Sequence, residues 1–142
     1  MATNIAPARP QARRQAWQVT NTLKKTINFG DANIANGVAF DESLPMGAFI
    51  ISVTVEIVTA FNAGTTNVLT IGTNGPANYN NIVASGDVTP GTPGVTQPTR
   101  GLGRSLAAAA ETPVFAKYTQ TGTAATQGQA VVVIEYEGGW AS

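Results

Sequence analysis

Between Gly47 and Gly72 the sequence GAFIISVTVEIVTAFNAGTTNVLTIG sets two strongly patterned apolar runs on either side of a short polar stretch. In the first run Phe49, Ile51, Val53, Val55, Ile57 and Phe61 fall on alternate positions, with Ser52, Thr54, Glu56 and Ala60 among the residues between them. That two-residue period belongs to a strand with one buried face. β-Branched residues crowd the turns of a helix and suit a pleated surface, so a helix is disfavoured here. Asn62-Ala63-Gly64-Thr65 supplies the Asn and Gly that a tight reversal wants. The second run then puts Leu69 and Ile71 on one face, with Val68 and Thr70 on the other. The stretch is expected to be a β-hairpin, and it commits the chain to a β fold.

The 142 residues suffice for one domain that removes roughly 68% of its unfolded surface from water. Cysteine and histidine are both absent. Their absence removes thiolate metal sites, the commonest general base and the commonest metal ligand, leaving carboxylates, Lys, Tyr and hydroxyls for chemistry. Charged residues make up 11% of the chain, against roughly a quarter in ordinary soluble domains, so Thr, Asn, Gln, Ser, Gly and Ala do the solvating. Such a surface is common where neighbours cover it, in secreted β-proteins and in viral shell components. Net charge is zero but uneven: five basic residues and no acid precede residue 26, and the remainder carries three basic and eight acidic residues. A basic arm thus precedes an acidic body. No run of about 18 apolar residues exists, so no transmembrane helix is expected. Pro and Arg in MATNIAPARPQARRQAW occupy the place of a signal peptide's apolar centre, so the expected site of synthesis is the host cytoplasm.

Residues 1–16 contain Pro7, Pro10, Arg9, Arg13 and Arg14, with Ile5 as their large internal apolar residue. Their own packing cannot offset the entropy of ordering, so they read as an extended arm, either solvated or ordered along a partner. Residues 17–142 read as the folded domain. Trp17, Val19, Leu23, Ile27 and Phe29 share an alternating face of a first long strand, in which Lys25 is discordant. Val38-Ala39-Phe40 is at most a short strand, and Asp41-Glu42 reads as turn chemistry. Residues 86–104 hold five glycines and three prolines without periodicity, the mark of a long functional or interacting loop. Ser105–Glu111 fits a helical turn or two, or a short strand. Val114, Ala116 and Tyr118 share one strand face, TQTGTAATQGQ reads as a hairpin loop, and Ala130, Val132, Ile134 and Tyr136 form the buried face of a last strand. Its outward Val131 and Val133 suggest a position near a sheet centre or beneath another subunit. The resulting architecture is all-β: an antiparallel two-sheet β-sandwich of jelly-roll type with an extended N-terminal arm.

No catalytic constellation emerges. Glu135 and Glu137 alternate on one strand, and a glycosidase needs two carboxylates about 5 to 10 Å apart, but the same pair also suits a solvated or interface strand. No Asp-x-Asp-x-Asp spacing surrounds Asp41-Glu42 to suggest calcium, and Gly101-Leu102-Gly103 is too short for a phosphate-binding loop. The expectation is a chain without catalysis, metal, cofactor or small-molecule substrate. Three arginines ahead of an acidic body argue against nucleic acid as partner. Tyr79 among Asn78, Asn80 and Asn81 is the one place suited to a sugar, and it equally suits a loop tip with one anchored Tyr.

PMGAFIISVTVEIVTAFNAGTTNVLTIGTN and TPVFAKYTQTGTAATQGQAVVVIEYE together resemble small head proteins of tailed bacteriophages of the decoration or cement type. In these a G-A-x-I segment opens a strand, AFNAGT turns, L-x-I-G closes, and a Gly/Thr/Ala loop precedes a Val-rich last strand ending in Glu-Tyr. The likeness is greatest to the jelly-roll cement proteins on the heads of short-tailed Bordetella phages, and spans residues 45–74 and 112–137. It implies a non-enzymatic virion protein on the outside of an icosahedral capsid, bridging major capsid protein subunits and self-associating as a homodimer. Arg9, Arg13, Arg14 and Trp17 of the arm, with Val131 and Val133, are the residues expected to meet partners. The rival reading from another class is a tail-associated β-sandwich that binds a host receptor or glycan through residues 86–104.

Overall fold

The computed structural model describes residues 20–75, 78–103, 106–107 and 109–137, so Arg9, Arg13, Arg14, Trp17 and Val19 lie outside the described residues. Seven strands follow in order: β1 (Thr20–Asn28), β2 (Val38–Leu44), β3 (Phe49–Thr59), β4 (Thr66–Gly72), β5 (Gly94–Thr96), β6 (Thr112–Thr121) and β7 (Gln129–Glu137). They form a four-stranded sheet in the order β1-β7-β3-β5 and a three-stranded sheet in the order β2-β6-β4, with every pairing antiparallel. Successive strands therefore alternate between the sheets without exception, which is the winding of a jelly roll. Val83 makes an isolated antiparallel bridge to Ile71 on the free side of β4. The eighth strand is thereby reduced to a single bridge.

This alternation corrects the expected hairpin. β3 belongs to the larger sheet and β4 to the smaller, so residues 60–65 cross the sandwich and do not reverse within a sheet. Neither Asn62 nor Gly64 takes a positive φ, as a primed hairpin turn would demand. Residues 122–128 likewise carry the chain from β6 to β7 across the sandwich and are no hairpin loop. The two crossings hold each other. The Asn62 Oδ1 accepts the amides of Thr126 (2.8 Å) and Gln127 (3.2 Å), and its Nδ2 donates to Thr126 Oγ1 (2.9 Å). The Gly64 amide donates to the Thr123 carbonyl at 2.8 Å. A Cβ on Gly64 would stand 2.8 Å from the Thr123 nitrogen, so glycine here serves close approach. Phe61 turns inward at this corner, its ring centroid 4.5 Å from that of Tyr118, whose hydroxyl donates to Asn67 Oδ1 at 2.6 Å.

The core forms between the sheets as the alternation demands. Leu23 and Ile27, Val53, Val55 and Ile57, and Ala130, Val132 and Ile134 meet Phe40, Leu44, Leu69, Ile71, Val114, Ala116 and Tyr118 in one buried cluster. Two sequence expectations shift because of one bulge. The β3–β7 register slips between Ile50 and Ser52, so Ile50 turns inward while Phe49 and Ile51, expected in the core, face solvent. β2 is seven residues long, and it includes Asp41 and Glu42 across an irregularity between Ala39 and Ser43, which explains their turn-like look. Lys25, discordant on the core face, sits beside the open edge where β1 and β2 are neighbours and reaches Asp41 Oδ1 at 3.9 Å. Among the described residues no helix occurs, and Leu106–Ala107 are turn. Val95 lies in β5, which pairs with β3 inside the stretch expected to be structureless.

Phe61→Ala should lower stability by about 3–5 kcal/mol, read from the urea midpoint, because it removes a fully buried ring and leaves a cavity beside Tyr118. Thr70 is buried on the far side of β4 with no hydrogen bond to its Oγ1 among the described residues. Thr70→Val should therefore raise stability by about 1 kcal/mol at an unchanged m-value.

Candidate interaction surface

The two outer faces of the sandwich differ. That of the smaller sheet is overlaid by residues 73–75 and 78–83. Tyr79 is 9% exposed and stacks on Phe115 with centroids 4.5 Å apart. A Cβ on either Gly37 or Gly75 would strike its ring, so the two glycines form the slot that holds it. The neighbouring amides satisfy one another: Asn74 Oδ1 accepts from the amides of Asn80 and Asn81, and Asn81 Oδ1 accepts from the Thr73 amide. Tyr79 is thus a loop anchor, and its ring is not available as a sugar platform.

The outer face of the larger sheet has no such cover among the described residues. Its register sets out rows across the strands: Thr22, Glu135 and Ser52; Lys24, Val133 and Thr54; Thr26, Val131, Glu56 and Val95. Five large hydrophobic residues are exposed among the described residues, and four of them, Phe49, Ile51, Val58 and Val95, lie on β3 and β5. Phe49 is 46% and Val95 64% exposed. Val131 and Val133 are half-buried in the central strand β7, beside this strip. The expectation that β7 is central holds. Glu56 lies within the strip, between Val131 and Val95, and Glu135, Glu137 and Lys24 lie beside it on β7 and β1, so apolar area and a net negative charge share one face.

Phe49 and Ile51 escaped the sequence reading because strict alternation assigned them to the core. Val58 carried a signal, an apolar residue directly after the buried Ile57, and Val95 was hidden in a Gly/Pro-rich stretch. Glu135 and Glu137 stand on this open face with Thr22, Ser52, Thr20 and Phe49 as cross-strand neighbours, a setting without a cleft. Among the described residues no three His, Cys, Asp or Glu gather as metal ligands, and no helix is long and apolar enough to cross a membrane. A groove of about 220 Å³ between the β1 and β2 edges is lined by Thr22, Leu23, Lys24, Phe40, Asp41 and Glu42. Its lining sets one cation, Lys24, against two carboxylates, Asp41 and Glu42, of which Asp41 is also reached by Lys25.

Residues 86–103 are tied down. Arg100 grips Asp87 with two parallel bonds, Nε to Oδ2 at 2.7 Å and a terminal nitrogen to Oδ1 at 2.9 Å, and the Ala84 amide adds a third to Oδ2. The Pro90 carbonyl accepts from Phe61, and Gly103 donates to Ile50, so the segment straps the free edge of β3. Register extension places Pro98 opposite Val53, where its missing N–H stops the β3–β5 ladder.

These features define a jelly-roll β-sandwich whose larger sheet presents an uncovered, partly apolar face. The structure is similar to a chain of the cyanophage Pam1 capsid asymmetric unit, with 21% identity, a TM-score of 0.61 and 84% of each chain covered. It is also similar to a chain of the acid-stable capsid of Helicobacter pylori bacteriophage KHP30, with 19% identity, a TM-score of 0.54, and 83% of this chain and 86% of that one covered. The likeness is one of fold, and it spans more than four fifths of each chain in both comparisons. No protein-family model and no curated protein matches the sequence.

The Arg100 guanidinium holds the Asp87 carboxyl below the usual carboxylate range, against the opposing effect of burial. A folded-state pKa below the unfolded one contributes stability that is present above the unfolded value and lost as pH falls through the folded value. Hydrogen-exchange protection factors of residues 84–100, taken against the intrinsic rate at each pH, should accordingly fall on acidification below about pH 4, modestly because the pair is partly exposed. Asp87→Asn should show the faster exchange already at neutral pH and lose that acid step.

Proposed function

We propose that the protein is a non-enzymatic structural component of a phage virion, bound to the outer surface of an icosahedral head where it cements neighbouring major capsid protein subunits. The observation that carries this reading is the uncovered apolar face of the larger sheet, on a fold shared with chains of two phage capsids. The resemblance to cement proteins of short-tailed Bordetella phages supports the finer assignment. In this reading Val131 and Val133 lie at the middle of the docking face, which meets the shell or a second copy in a homodimer, and Arg9, Arg13, Arg14 and Trp17 extend the contact along a neighbour. No nucleic acid, membrane, cofactor or small substrate takes part.

Cementing has a simple physical basis. A ligand that binds only the assembled state stabilises it by mass action, and contacts to adjacent capsomers raise the free energy needed to part them. Many copies with modest affinity suffice. A flat face rich in Val and Thr suits such a role, since it gains from apolar burial without costly desolvation of many charges.

The double variant Val131→Asp, Val133→Asp should keep its far-UV circular dichroism and lose binding to assembled heads by about tenfold or more, as expected when the centre of an interface is charged. Deleting residues 1–16 should also lower occupancy. Undiminished occupancy in both variants would sink the assignment. Immunogold labelling of intact virions provides a separate check: shell-wide label agrees with cement, and label confined to the tail tip would favour the receptor-binding alternative.

A further inference from the structure

We propose that the outer edge of β1 is a docking site for one extended segment of a partner protein, which adds to the larger sheet as a further strand and carries a carboxylate opposite Lys24. This edge is separate from the apolar face, and its use does not depend on a capsid. The direction of its backbone groups follows from the β1–β7 ladder. The Phe29 amide donates to the Gly128 carbonyl at 3.1 Å, one step beyond the Asn28–Gln129 pair. Hydrogen-bonded pairs alternate along an antiparallel ladder, so Asn21, Leu23, Lys25 and Ile27 turn their N–H and C=O groups to β7. Thr20, Thr22, Lys24 and Thr26 turn theirs outward. Asn28 follows the same parity, since its amide leaves the ladder and donates to Asp31 Oδ2 at 2.8 Å. Thr22, Lys24 and Thr26 are exposed, and among the described residues no loop or turn backbone group bonds to them. Such a row of open donors and acceptors is a template for strand addition.

Charge selects the occupant. Lys24 stands on the outer face opposite Val133, with no ion pair among the described residues, while Lys25 on the inner side reaches Asp41 Oδ1 at 3.9 Å. Lysines on an edge discourage indiscriminate pairing, and across a ladder like charges destabilise where opposite charges stabilise. The β1 edge of a second copy brings the same two lysines, so charge disfavours a homotypic pair and favours an acidic strand. Inward side chains of the added strand enter the groove of about 220 Å³ between β1 and β2, where Leu23 and Phe40 adjoin Asp41 and Glu42. Carboxylates on that side are repelled. The matching segment is therefore uncharged on its inner side and acidic at one outer position, with main-chain bonds supplying affinity and alternate side chains specificity. Residues 86–103 strap the opposite side of the sheet, so addition stops at one strand.

The test uses the full chain with two synthetic peptides, acetyl-Ala-Thr-Val-Glu-Val-Thr-Ala-amide and the same peptide with Lys in place of Glu, followed by amide hydrogen exchange in NMR spectra. At about ten times its dissociation constant the Glu peptide should slow exchange at Thr22, Lys24 and Thr26 about tenfold. Leu23, Lys25 and Ile27, already bonded to β7, should not change. The Lys peptide should bind about two- to fivefold more weakly, the fold-change of a cross-strand ion pair. In Lys24→Glu the order of the two peptides should reverse, which a damaged fold cannot mimic. Equal affinity of the two peptides for the unaltered chain, changes confined to the sheet face around Thr54 and Val131, or no change at any amide would overturn the proposal. Protection of the even-numbered amides in the free monomer would mean an edge filled within the chain, and their protection on raising the protein concentration alone would mean a second copy; either result would overturn it too.

Discussion

The corner where Phe61 and Asn62 meet residues 122–128 is the contact on which the sandwich depends. Each strand changes sheet at its connection, so the described strands contain no hairpin to set register locally. Register comes instead from crossings that fix where each sheet begins. Asn62 does this with one amide group bonded to the opposite crossing, while Phe61 fills the space beneath and touches Tyr118. The polar corner and the apolar core are thus joined in one pair of adjacent residues. Such non-local pairing carries a loop-closure cost before it gains packing, which places the burden of specificity on these crossings.

Given that frame, the difference between the outer faces acquires meaning. The smaller sheet is covered by residues 73–75 and 78–83, with Tyr79 wedged against Phe115, Asn74 bonded to Asn80 and Asn81 bonded to Thr73. The larger sheet has a strap along one edge, where residues 86–103 protect β3 from further pairing, while its face stays partly apolar. A protected edge beside an open face favours association by stacking over edge-to-edge growth.

Much of the strand pattern was legible in the residues. The periods around Val53–Ile57, Val114–Tyr118 and Ala130–Tyr136 identify strands and their buried sides, because side-chain alternation is a local property of extended chain. Val131 and Val133 stood out for the same reason. The bulge after Ile50 was not legible, since a one-residue slip leaves composition unchanged while exchanging the faces of Phe49, Ile50 and Ile51. Nor was Val95, whose three-residue strand exists only because β3 offers it an edge.

The sequence by itself determined that this chain is a β-sandwich, that its basic residues concentrate ahead of residue 26, and that its last strand carries apolar residues on both sides. Only the tertiary structure decided that Gly47–Gly72 bridges two sheets, that Tyr79 is an anchor, and that the uncovered apolar surface lies on β3, β5 and β7. The physical reason is one of range. Extended conformation is chosen by neighbours along the chain, whereas the partner of a strand, and the face left open, are chosen by residues tens of positions away.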